Sequence, residues 1–184
     1  MTIGARFGRV LEDARRGEPD GIEALYRDMA PSLLGYLRGQ GAGEPEDLMS
    51  EVFEGVFRGL PRFHGEEAGF RSWVFTIAHR RLVDERRRRG RRREEAMDPA
   101  DLAPHGPMGD AEGEAMGRLG SRWALDVLNK LTEGQRSVVL LRILADLPVA
   151  EVARVLGRSE GAVKNLLQRA VTRLADEIAR ERVT

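Results

Sequence analysis

Apolar residues recur three and four positions apart over almost the whole chain, and nowhere do they alternate for the length of a strand. Side chains at those spacings share one face of a helix, whereas alternation is what a half-buried strand requires. The expected fold class is therefore all-α. A first helix is expected from Ala5 to Arg16, stopped by Gly17 and Pro19. A second carries Ile22, Leu25, Tyr26, Met29, Leu33, Tyr36 and Leu37 on one stripe, with Pro31 as a kink or break because it has no N–H to donate, and ends among Gly39, Gly41 and Gly43. Pro45 suits the first turn of a third helix, with Leu48, Val52, Phe53, Val56 and Leu60 facing inward and Asp47, Glu51 and Glu54 outward. Past a loop at His64 and Gly65, a fourth helix presents Phe70, Trp73, Val74, Ile77, Ala78 and Leu82.

The pattern stops at residues 94–117, where three prolines, four glycines and seven acids leave too little apolar surface to offset the entropy of ordering. A flexible acidic linker is expected there. Four further helices are expected beyond it, Trp123–Lys130, Glu133–Ala145, Val149–Leu156 and Glu160 to about Arg180, so the chain divides into small helical units at 1–93 and 118–184. A length of 184 residues is enough for two such cores.

Several function classes drop out on composition. No run of about eighteen uncharged apolar residues is present to cross a bilayer. The first fifteen residues lack both an apolar signal core and a small-residue cleavage site, so no secretory signal is expected and the chain is placed in the cytoplasm. With no cysteine there is no disulfide framework, thiolate metal site or thiol switch. His64, His79 and His105 stand apart from any nucleophile or metal-ligand spacing, and no glycine-rich phosphate loop precedes a helix, so no enzyme, metal, cofactor or small-molecule substrate is expected.

Net charge is zero, yet the charge is segregated. Ten arginines lie between Phe70 and Arg93 against only Asp84 and Glu85, and the acidic stretch follows at once. A basic helix invites nucleic acid, while a solvated helix face would look the same in isolation. The more specific motif is LPVAEVARVLGRSEGAVKNLLQRA, which has helix-turn-helix spacing. Ala153 is small enough for two helices to cross, Gly157 can adopt the positive φ of the turn, and Val163 packs the second helix back. Ser159 is the expected N-cap, putting Glu160, Lys164, Asn165, Gln168 and Arg169 on the outer face with side chains suited to phosphates and base edges.

Together these segments resemble the extracytoplasmic-function (ECF) sigma factors of bacterial RNA polymerase, over nearly the whole chain. EPEDLMSEVFEGVFRGLPRF resembles that family's polymerase-binding helix, FRSWVFTIAHRRLVDERRRRGRR its melting and minus-ten helix, and the segment from TEGQRSVV to AVTRL its fourth domain. The resemblance implies core RNA polymerase, promoter DNA and an anti-sigma factor as partners, with no membrane contact. It implies polymerase docking through Asp47, Leu48, Glu51, Phe53 and Glu54. Minus-ten contacts fall on Arg62, Phe63, His64, Arg71, Trp73, His79, Arg80, Arg81 and Arg87, within a run that includes Arg86 to Arg89. Minus-thirty-five contacts fall on Ser159, Glu160, Lys164, Asn165, Gln168, Arg169 and Arg173.

In relatives the loop holding Arg62, Phe63 and His64 helps to trap a flipped base, and the acidic linker threads channels that later hold RNA. Departures are Ser50 for a common glutamine, Trp73–Val74 where primary sigma factors carry neighbouring tryptophans, and Leu166 and Val171 where cations are common. Trp73 can equally be a plain core residue, and an exposed Leu166 can pack on another protein. The competing reading is a one-component helix-turn-helix regulator with a sensing or dimerising first domain. A helical adaptor that binds only proteins leaves the helix-turn-helix offsets without a purpose.

Overall fold

The computed structural model describes residues 3–95 and 122–181, and among them there are helices and no strands. The eight α-helices are α1 Phe7–Arg15, α2 Pro19–Gly39, α3 Pro45–Gly59, α4 Glu67–Glu95, α5 Arg122–Asn129, α6 Glu133–Ile143, α7 Val149–Leu156 and α8 Glu160–Glu181. The expected linker lies outside the described residues except for Glu94 and Glu95, which continue α4.

Pro19 and Pro45 both sit in first turns, where a missing N–H costs nothing. Pro31, expected to kink or break α2, does not break it: the helix runs on through an exposed proline while Met29, Leu33, Tyr36 and Leu37 stay buried on its inner face. Burial of those side chains, at about 1.5–3 kcal/mol each, exceeds the cost of one lost helical bond.

In the first unit, α2 lies between α1 and α3, and α4 packs across α3. Phe70, Val74, Phe75, Ala78 and Leu82 of α4 meet Val52 and Val56 of α3 and the α2 stripe in one core. In the second unit, α6 starts with a capping box, the Thr132 hydroxyl accepting from the Gln135 N–H and the Gln135 side chain accepting from the Thr132 N–H. Val163 and Ala170 of α8 are fully buried against α6 and α7. The turn between α7 and α8 has the expected form: Gly157 is left-handed at φ 61°, Ala153 is buried, and the Ser159 hydroxyl accepts from the Ala162 N–H.

The two units are docked on each other. Gly39 ends α2 directly beneath Leu140, so close that a Cβ there would lie 2.9 Å from a leucine methyl. Next to it the Gln40 side chain donates to the Ser137 hydroxyl at 2.9 Å, a buried bond across the seam. Arg86 closes the contact, donating to the Gln40 carbonyl at 2.5 Å and to its side-chain oxygen at 3.1 Å while pairing with Glu133. Helices α4 and α7 form the rest of the seam.

Candidate nucleic-acid interface

Three surfaces collect most of the residues singled out in the sequence. On α3, Asp47 and Glu54 are exposed and Glu51 is half-exposed, its carboxylate 3.5 Å from Arg81 of α4. Leu48 and Phe53 are not on that surface. Both are buried, Phe53 against the rings of Tyr26 and Phe57, so they support the acidic face from behind. Ser50 is exposed and bonds back to the Glu46 carbonyl.

The second surface is α4 with the loop before it. Arg62, His64, Arg80 and Arg87 are exposed and Arg81 is partly so. Arg71 departs from the expected picture: its guanidinium is buried, 2.6 Å from the Asp28 carboxylate and 3.8 Å from Glu67. An arginine in that position ties α4 to α2 and offers no face to DNA. Burial raises the Asp28 pKa from its ordinary value, outweighing the opposing pull of Arg71. Trp73 is partly buried and packs against the core, stacked on Phe63 with centroids 5.1 Å apart and lying over Gly59. Phe63 in turn meets the edge of Phe70, which fixes the loop at its aromatic residue.

His79 falls at the seam between the units, where it lines a cleft with Val83, Glu133, Leu156 and Arg158. Its Nδ1 is 3.0 Å from the buried Tyr36 hydroxyl. Burial lowers the imidazole pKa first, and Arg86 and Arg158 lower it further against the opposing charge of Glu133. The neutral ring is thus favoured in the folded protein. Stability is complete above the ordinary histidine value of about 6.5 and is lost as pH falls below it, because the unfolded chain takes up the proton first. Thermal melts at about pH 7 and about pH 5.5 should show a larger drop for the wild type than for His79→Gln. Equal drops in the two proteins would rule His79 out as the sensitive group.

The third surface is the outer side of α8. Asn165, Gln168, Arg169 and Arg173 line one shallow groove with Thr172 and Asp176, on a helix whose opposite side is buried. Ser159, Glu160 and Lys164 are exposed at the same helix's N-terminal end. Leu166 does not project outward: it is half-buried, its methyls 3.6–3.7 Å from where a Cβ on Gly134 would be. Val171 is exposed.

Two residues of consequence were invisible in the sequence: Arg15 donates from α1 to the Phe63 carbonyl, and Gln40 bonds to Ser137 at the seam. Arg86, expected with the run to Arg89 on promoter phosphates, is instead engaged at that seam by Gln40 and Glu133. None stands in a periodic or motif relation to its partner. Among the described residues no helix is long and apolar enough to cross a membrane, and no group of His, Cys, Asp or Glu could hold a metal ion.

Two family models match the chain: Sigma-70 region 2 over residues 25–92, and Sigma-70, region 4 over residues 121–174. Among curated relatives, the ECF RNA polymerase sigma factor BldN of Streptomyces coelicolor is 35% identical over 173 residues, 93% of this chain and 65% of that protein. The ECF RNA polymerase sigma factor ShbA of Streptomyces griseus is 31% identical over 182 residues, covering 94% of this chain and 93% of that protein. Among solved structures, CnrH in complex with the cytosolic domain of CnrY aligns with a TM-score of 0.64 at 23% identity, over 93% of this chain and 96% of that one. The sigma factor RpoE of Bartonella quintana, in complex with the anti-sigma factor NepR, also aligns at 0.64, with 19% identity over 85% and 96%. At those identities the two structures speak for the fold alone.

Proposed function

The chain belongs to the ECF RNA polymerase sigma factors, and from that premise we propose that it joins core RNA polymerase through α3 and directs initiation at promoters read by α4 and α8. A sigma factor is an initiation factor and not an enzyme. One observation carries the reading: a single unit holds both an exposed acidic helix face, at Asp47, Glu51 and Glu54, and a helix rich in arginine. A sensing domain of a one-component regulator has no use for that pairing. Acidic and basic faces kept apart on one scaffold instead suit simultaneous docking on a basic protein surface and on DNA.

On this reading Arg62, His64, Arg80, Arg81 and Arg87 meet the minus-ten region, while Lys164, Asn165, Gln168, Arg169 and Arg173 meet the minus-thirty-five region. The protein works in the cytoplasm, where its polymerase and promoters are, and an anti-sigma factor restrains it. Run-off transcription with core polymerase and a library of promoter fragments tests the class. Initiation from a defined subset supports it, and tight sequence-specific binding by the free chain without polymerase favours the regulator.

Within α8 the roles separate. Lys164 is a point charge beside the positive N-terminal end of its helix, which suits a phosphate. Asn165 and Gln168 carry amides that can pair with adenine in two places. Holoenzyme binding to every single-base variant of the upstream element should show Lys164→Ala lowering affinity evenly and the salt slope by about one. Asn165→Ala or Gln168→Ala should cost about 1–3 kcal/mol at one base position. If all three substitutions are silent, α8 is not the promoter reader.

A further inference from the structure

The first fifteen residues hold the loop before α4 from both ends. At its far end the Glu67 carboxylate accepts from the backbone N–H groups of Ile3 and Gly4, each at 2.8 Å. At its near end Arg15 of α1 donates to the Phe63 carbonyl, and the same nitrogen lies 3.3 Å from His64 Nδ1. Phe7 packs on Phe70 just beyond, with centroids 5.7 Å apart. Five contacts from one short segment therefore set the path of residues 63–70.

The contact to His64 has a chemical consequence. A guanidinium only donates, so the Nδ1 facing it must accept, and the neutral imidazole then carries its proton on Nε2. Phe63 is already committed, stacked on Trp73 and held against Phe70. The loop's exposed, chemically directed group is thus His64, with Nε2–H as its donor.

We propose that Arg15 is a positioning residue for recognition of the melted strand: it fixes the loop through the Phe63 carbonyl and sets His64 in the tautomer that offers Nε2–H to an acceptor oxygen. This rests on the reading that the loop meets the opened minus-ten strand. The acceptor is an oxygen on that strand, either a base carbonyl or a phosphate. Both are unstacked and within reach of a loop side chain once the duplex opens.

The test uses holoenzyme assembled from the full chain and core polymerase, on a duplex promoter carrying 2-aminopurine in its minus-ten element to report strand opening. Arg15→Ala and His64→Ala should each reduce opening by about tenfold, and the double variant should be little worse than either, because the two side chains act as one unit. A glutamine amide places donor hydrogens near the Nε2 position without needing a tautomer to be set. Adding Arg15→Ala to His64→Gln should therefore cost less than it does in the wild type. Arg15→Lys, which keeps the charge and has donors enough but ends one atom short of the guanidinium nitrogen that meets both acceptors, should fall between and covers the case in which Arg15→Ala fails to fold.

Base variants and a salt series identify the oxygen. A base carbonyl predicts that His64→Ala relaxes preference at one position, and a phosphate predicts a uniform loss with a shallower salt slope. If His64→Ala impairs opening while folded Arg15→Ala and Arg15→Lys do not, the positioning role is overturned and the loop reading stands. If the His64 and Arg15 variants are all silent, the loop reading itself fails.

Discussion

Reversing two charges on α3, Glu51→Lys with Glu54→Lys, should weaken binding to core polymerase by about 100-fold while leaving the fold in place. Like charges brought together at a protein interface cost several kcal/mol, and two reversals among Asp47, Glu51 and Glu54 meet that penalty twice. The cost to folding is small because neither residue is buried. Glu51 gives up a partly exposed pairing with Arg81, of the kind worth about 0.2–1 kcal/mol. Asp47, also exposed, extends the face, and its reversal should add to the loss. Competition between wild type and variant for limiting core enzyme, with a thermal melt of each, separates docking from folding. Unchanged affinity with an intact melt would remove α3 as the docking helix and with it the best argument against the one-component regulator.

The largest effect on stability is expected at Gly21→Ala. Gly21 lies where α2 crosses α1, and a Cβ there would be 2.8 Å from the Asp13 carbonyl carbon and closer still to the Ala14 nitrogen. Those are backbone atoms, so no rotamer change relieves the overlap and the helices must move apart. Overpacking of this kind costs about 3 kcal/mol, and the helix propensity gained by replacing glycine, about 1 kcal/mol, offsets only part of it. Gly8 of α1 is the internal control. Nothing lies within 4 Å of its Cβ position, so Gly8→Ala should be neutral or mildly stabilising. Circular dichroism melts of the two variants check the contrast, and equal melting temperatures would mean that α1 and α2 do not cross as described. Separation of α1 would also withdraw Arg15 from the loop, so strand opening should fall with stability.

The parts legible in the sequence were those with a local rule. Helical spacing gave the all-α class and the element order, and Ala153, Gly157 and Ser159 gave the turn of the helix-turn-helix because its geometry repeats at fixed offsets. What escaped was pairing over distance. Arg71 looks in sequence like every other arginine of its run, and only the fold brings Asp28 to it from 43 residues away. Phe53 has the spacing of a core residue and the resemblance of a contact residue, and burial decided for the former, while Trp73 is partly buried against the core and so keeps both readings. Gln40 and Ser137, 97 residues apart, obey no periodicity at all.

The docked seam sets a length problem. A body of this many described residues, packed to ordinary density, is about 40 Å across. Promoter elements named for positions ten and thirty-five are about 25 base pairs apart, or about 85 Å along the duplex. No orientation of the docked pair touches both. If α4 and α8 read the two elements as proposed, the Gln40–Ser137 bond, the Arg86–Glu133 pair and the Leu140–Gly39 contact must all be broken before both are reached together. Each kcal/mol held in the seam is therefore deducted from the free energy that polymerase and promoter supply together. On that proposal a weakened seam, as in Gln40→Ala, should give a protein that opens more readily and discriminates less between strong and weak promoters, which run-off transcription from a strong and a weak promoter checks.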